Sequence, residues 1–215
     1  MRCFLQISGI RGVHLWKGGT SVTCDLPCDE GKVAQEADRA LEGLQSVFSG
    51  FDPAKVKDIK VRELAEGCVI GVRGFYDFSS GTVTLCCVNG KVCVETLVHE
   101  LLHSNSFTKR RTAYLEGLTE FLTLYYLKKR KPVCVYHRLT DEACRINKEY
   151  EVYAAFWANL AVAIGVDRLW AYYSEGEGPE IDGLTRLGVF DASLAVKKRY
   201  GIEWSDLLDA LVKLP

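Results

Sequence analysis

The chain has 215 residues and a formal net charge of -1, with 48% hydrophobic and 26% charged residues. Those proportions exclude a disordered, collagen-like or low-complexity chain. The balanced charge leaves no overall basic footprint for nucleic acid or an anionic membrane surface.

The first 25 residues read as strands, with Phe4, Gln6 and Ser8 alternating against Leu5 and Ile7 and a turn at Gly18-Gly19. They lack the apolar h-region of a signal peptide. Val33, Ala37, Ala40, Leu41, Leu44 and Val47 recur at helical spacing and predict a helix over 32–48. Strands are expected over 59–64, 68–72 and 82–88, with a turn at 77–81 between the last two. After Asn89-Gly90 the pattern becomes helical, with helices expected over 92–106, 113–130, 141–164, 167–174, 191–200 and 203–213. The longest apolar stretch, 152–165, is broken by Asn159 and falls short of the roughly 20 residues of a membrane span. The expectation is an α+β chain forming one domain over 1–215. An α/β portion covers about 1–106 and a helical portion about 107–215. No membrane partner is expected, and the compartment expected is the cytoplasm.

Nine cysteines are present, at 3, 24, 28, 68, 86, 87, 93, 134 and 144. None forms a Cys-x-x-Cys pair, which argues against a zinc ribbon. One Met, three Gln and four Asn make the chain poor in thermolabile side chains, a hyperthermophile trait. Intracellular disulfides occur in such organisms. One or two structural disulfides are therefore expected, with the remaining cysteines in the core.

His99-Glu100-Leu101-Leu102-His103 reads H-E-x-x-H inside an apolar helical stretch. Residues i and i+4 lie about 40° apart on a helix, so both imidazoles project from one face, where a single zinc ion can take two nitrogens. Glu100 follows the first histidine, near enough to act as a base on water. A catalytic zinc needs a third protein ligand. Glu116 and Glu120 share one face of the next helix while Leu115, Leu118 and Leu122 take another. Glu116 is the candidate ligand. Glu120, one turn on, is the candidate partner for the free N–H of a ligand imidazole.

These residues resemble the gluzincin metallopeptidases, whose mark is H-E-x-x-H followed by a Glu ligand on the next helix. Tyr114-Leu115-Glu116-Gly117-Leu118-Thr119 is similar to the ligand segment L-N-E-G-F-A of the aminopeptidase branch, matching at Glu116 and Gly117. Glu120 stands where the thermolysin branch has the Asp that supports a ligand histidine. Tyr150-Glu151, with Gly165 fifteen residues after the tyrosine, resembles the Y-E-K-G helix of the aminopeptidases. The resemblance implies a minimal zincin-like domain, a small mixed sheet with an edge strand over 81–88, and a helical half beyond. It implies zinc on His99, His103 and Glu116, and Glu100 as general base. Tyr150 would stabilise the oxyanion, with His137 as the alternative by likeness to the thermolysin branch. The expected activity is hydrolysis of a peptide or protein substrate. The competing expectation is an inactive zincin-fold scaffold, because the segment by which aminopeptidases hold a free N-terminus is missing. A nucleic-acid partner has in its favour Lys109-Arg110-Arg111 and the basic run 128–131 alone, and is not expected. Oligomeric state is left open.

Overall fold

A computed structural model describes residues 24–63, 68, 72–141 and 144–215. The strands expected at the N-terminus lie almost wholly outside these residues. Of the strand expected over 68–72, Cys68 and Val72 lie outside any strand, and the rest is outside the described residues.

Strand β1 (Asp25–Pro27) leads into helix α1 (Glu30–Val47). Asp29 caps that helix by accepting from the Lys32 N–H, and Val33, Ala37, Ala40 and Leu44 bury its inner face. Strands β2 (Asp58–Glu63), β3 (Gly74–Asp77) and β4 (Thr82–Cys87) form a mixed sheet of order β2-β4-β3. β2 runs parallel to β4 and β3 runs antiparallel to it. Asn89 and Gly90, with φ of 53° and 74°, turn the chain into β5 (Lys91–Cys93), which pairs with β1. Two consecutive positive φ angles are what a tight hairpin turn requires and what Asn-Gly tolerates.

Helix α2 (Val94–His103) follows without a break, and then come α3 (Ala113–Arg130) and α4 (Pro132–Thr140). The helical half is completed by α5 (Lys148–Ile164), α6 (Val166–Glu175), α7 (Pro179–Thr185), α8 (Val189–Tyr200) and α9 (Leu207–Lys213). The arrangement is mixed α+β. One buried cluster runs through both halves, with Leu44, Leu85, Leu101, Phe121, Trp157 and Leu211 among its members. No single described helix is long and apolar enough to cross a membrane, and α5 and α6 bend by 119° about Gly165.

Three expectations change. The strand over 81–88 is not an edge. As β4 it is central, and Val83, Thr84, Leu85, Cys86 and Cys87 are all buried, the pattern of a strand covered on both faces. Among the described strands the outer one beside α2 is β3, four residues ending inside the turn that the sequence suggests. Second, the stretch between the helices expected over 113–130 and 141–164 is itself a helix, α4, which carries His137 and has Pro132 at its first turn. A proline there is preorganised for helix and forfeits no bonded N–H. The helix expected from residue 141 starts at Lys148, where the Asn147 side chain accepts from the Glu149 N–H. Third, the described residues hold four disulfides rather than one or two: Cys24–Cys134, Cys28–Cys87, Cys68–Cys86 and Cys93–Cys144. Their partners lie 18 to 110 residues apart, so local spacing carries no trace of the pairing. Cys24–Cys134 anchors α4, and Cys93–Cys144 ties the start of α2 to the segment ahead of α5.

Helices α3 and α5 pack closely because Gly117 has no side chain. A Cβ there would lie 2.2 Å from the Tyr153 Cβ and 2.9 Å from the Tyr153 carbonyl carbon. This contact sets the N-terminal turn of α5, and with it Tyr150, beside the acidic face of α3.

Candidate metal centre

Every residue of α2 is buried, including both histidines and Glu100. His99 and His103 stand one turn apart, with their Nε2 atoms separated by 3.1 Å. Helix α3 begins at a Thr112 cap and brings Glu116 Oε2 to 3.3 Å from His99 Nε2 and 3.4 Å from His103 Nε2. Tetrahedral coordination at bond lengths of about 2.0–2.1 Å separates neighbouring donors by about 3.3–3.4 Å. The three donors therefore suit one zinc-sized ion. Glu116 Oε1 and Glu100 Oε2 are buried without a hydrogen-bond partner, so uncompensated carboxylate oxygen already borders the donor triangle.

The imidazole of His99 is oriented from behind. Its Nδ1 lies 3.1 Å from Glu120 Oε2, which assigns a proton to Nδ1 and makes Nε2 the nitrogen turned toward Glu116 and His103. Glu120 is fully buried and gripped by Arg138, whose Nε donates to Oε1 at 2.8 Å and whose Nη2 donates to Oε2 at 2.9 Å. The third guanidinium nitrogen, Nη1, donates to the Cys144 carbonyl at 2.7 Å. Burial opposes charge on both Glu116 and Glu120, but the histidines outweigh it at Glu116 and Arg138 outweighs it at Glu120. Both carboxyls are thus held below their ordinary range. Burial likewise opposes charge on His99, yet Glu116 and Glu120 raise its pKa to about 9. The cluster attracts positive charge.

Glu100 lies one residue beyond the first histidine and faces β3. A Cβ at Gly74 would lie 2.9 Å from Glu100 Cγ, so the absence of a side chain there lets β3 approach the acid. A cavity of about 350 Å³ opens on this spot, and His99, Glu100, Glu116, Glu120 and Tyr150 line it. Burial and the charge of Glu116 raise the Tyr150 hydroxyl above its ordinary value, so it stays a proton donor near neutral pH. His137 is not among the lining residues. Its Nδ1 contacts Glu95 Oε1 at 2.8 Å, and its Nε2 lies 3.7 Å from both Asp25 and Asp141. Of the two candidate oxyanion donors, the fold brings Tyr150 to the cavity and keeps His137 on another side of α2.

A larger cavity of about 810 Å³ lies between α5 and α8, lined by Val152, Phe190, Leu194 and Trp204 among others. No group of metal-ligating side chains among the described residues faces it. The other clusters of such side chains among the described residues each rely on a half-cystine. His99, His103 and Glu116 form a donor set without one. Sequence reasoning misses Arg138, Arg111, Arg145 and Gly74. The first could have been suspected from Pro132 and the apolar Val133, Cys134, Val135 and Leu139, which mark a helix with a lone cation on it.

No protein-family model matches the chain, and neither a curated protein nor a solved structure matches it.

The donor set makes a direct prediction. Glu116→Ala should release most of the bound metal under mild chelation, measured by elemental analysis after dialysis. Full retention would assign the third ligand elsewhere.

Proposed function

We propose that the protein is a zinc-dependent peptide hydrolase of gluzincin type. The observation that carries this is the triangle of His99, His103 and Glu116 donors with Glu100 beside it on the same helix. His99, His103 and Glu116 would hold the ion. Zinc, when bound, polarises the carbonyl and lowers the pKa of water toward 7. Glu100 accepts the proton of the attacking water and returns it to the leaving amine. Tyr150 donates its hydroxyl hydrogen to the developing oxyanion. Among the described strands β3 is outermost on its side of the sheet, and an extended peptide backbone can pair along it.

The basic run at the end of α3 gives little support to a nucleic-acid role, because part of its charge is engaged within the fold. Lys128 donates to the Leu211 carbonyl, Arg130 meets Ser46 and Lys131 pairs with Glu36. The four disulfides constrain the cytoplasmic reading. Such bonds persist in oxidising compartments or inside hyperthermophiles, so that reading requires a source of the second kind.

The test is metal analysis of the purified protein together with digestion of a mixed-peptide library. One zinc per chain and metal-dependent cleavage are expected. Stoichiometric zinc with no cleavage would leave the inactive scaffold as the better reading. Tyr150→Phe should slow cleavage about 10²–10³-fold, the scale for one oxyanion donor, with zinc retained. A silent Tyr150→Phe would remove Tyr150 from the reaction.

A further inference from the structure

Selectivity at this cavity depends on what lines it besides the donor triangle. Four arginines do: Arg73, Arg111, Arg138 and Arg145. Glu100, Glu116 and Glu120 are the carboxylates among the lining residues. The cavity is cationic before any metal charge is counted, and a divalent ion would make it more so. Val72 and the ring of Tyr150 are its apolar members.

The four guanidiniums are not equivalent. Arg138 is engaged at all three nitrogens by Glu120 and the Cys144 carbonyl. Arg73 is engaged within the fold. Arg111 and Arg145 differ. Arg111, 43% exposed, sits 3.7 Å from Glu100 Oε2 and 3.8 Å from Glu116 Oε1, too far for hydrogen bonds. Arg145, 45% exposed, sits 3.9 Å from Glu151, again too far. Both therefore keep N–H donors for a ligand. They come from separate stretches, one ahead of α3 and one ahead of α5, and the fold brings them to one cavity. Guanidinium forks match carboxylate oxygens in bidentate geometry and shed water readily.

We propose that Arg111 and Arg145 form a carboxylate-binding subsite, so that the preferred substrate is a peptide presenting a carboxylate next to the bond that is cut. That carboxylate comes from an acidic side chain or from the peptide's own C-terminus. The cleavage half of this statement rests on the hydrolase reading, whereas the recognition half does not.

The test uses zinc-loaded Glu100→Gln protein, so that binding is read without turnover. Four versions of one short peptide are titrated calorimetrically: with a glutamate and a free C-terminus, with the C-terminus amidated, with Gln replacing Glu, and with both changes. Removing the recognised carboxylate should weaken binding about 10–100-fold. The amidated version identifies the terminus as the source, and the Gln version identifies the side chain. Arg145→Gln, made in the same background, should abolish the difference between the acidic and the neutral peptide. Three results would overturn the proposal: equal binding of all versions, no binding of any version, or a carboxylate preference that survives in both Arg145→Gln and Arg111→Gln. Digestion of the four peptides by the unmodified protein separates this from the hydrolase reading. Carboxylate-selective binding without cleavage leaves the subsite standing and removes the hydrolase. Equal cleavage of all four does the reverse.

Discussion

Glu100→Gln should lower peptide hydrolysis about 10²–10⁴-fold, the usual contribution of a positioned base, while zinc content and fold stay at the level of the unmodified protein. The side chains have nearly the same volume, so the contact with β3 at Gly74 is kept. The buried Oε2 of Glu100 has no hydrogen-bond partner to lose, and Arg111 at 3.7 Å forms only a long ion pair with it. The substitution thus removes the proton acceptor and little else. His99, His103 and Glu116 are untouched, so metal analysis should still give one zinc per chain. The measurement is the initial rate on a peptide that the unmodified protein cleaves, with zinc determined on the same sample. A rate near that of the unmodified protein would mean that Glu100 is not the base. Loss of zinc together with activity would mean that Glu100 shapes the metal site instead.

How much of this centre the sequence carries depends on how far apart its parts lie along the chain. His99, Glu100 and His103 are legible because helical periodicity alone places them together. Glu116 and Glu120 are legible for the same reason on α3. The short connection between the two helices then leaves few ways to arrange them. Asn105 helps to fix that connection by accepting from the Asp52 N–H and donating to the Asp52 carbonyl. Arg138 is different, since its partner Glu120 lies 18 residues earlier on another helix. The local pattern of α4 can mark a lone cation there, but not the carboxylate that it meets. Gly74 is hidden likewise, because what it accommodates is a side chain on α2 and not a turn of its own strand. The sheet order fails for a related reason. The apolar stretch over 82–88 shows a buried strand, but whether its neighbours lie on one side or both is decided by β2 and β3. Cysteine pairing is hidden most completely, because partners are chosen by the finished fold.

The pair of Glu120 and Arg138 should prove the most sensitive point behind the metal centre. Glu120 is fully buried and Arg138 is 7% exposed, so neither charge has water to fall back on. Removing one partner of such a pair leaves an uncompensated charge, at a cost of about 3–5 kcal/mol. Arg138→Met should therefore shift the urea midpoint strongly downward, and Glu120→Gln should do so as well. The double substitution should cost less than the sum of the two, because no lone charge remains. Acid sensitivity gives a second reading. Arg138 holds the Glu120 carboxyl below its ordinary value of 4.5, against the opposing effect of burial. A depressed folded-state pKa contributes stability above the unfolded value, and that contribution is lost as pH falls below about 4.5. In Arg138→Met the opposition to burial is weakened, so this part of the acid loss should shrink. Metal binding gives a third. With Glu120→Gln the hydrogen bond that orients His99 is weakened, and zinc affinity should drop about 10–100-fold. Additive costs in the double variant, with zinc affinity unchanged, would reduce the pair to two independent packing residues. Coupled costs with weakened zinc binding would make Arg138, through Glu120 and His99, the far end of the scaffold that presents the ligands.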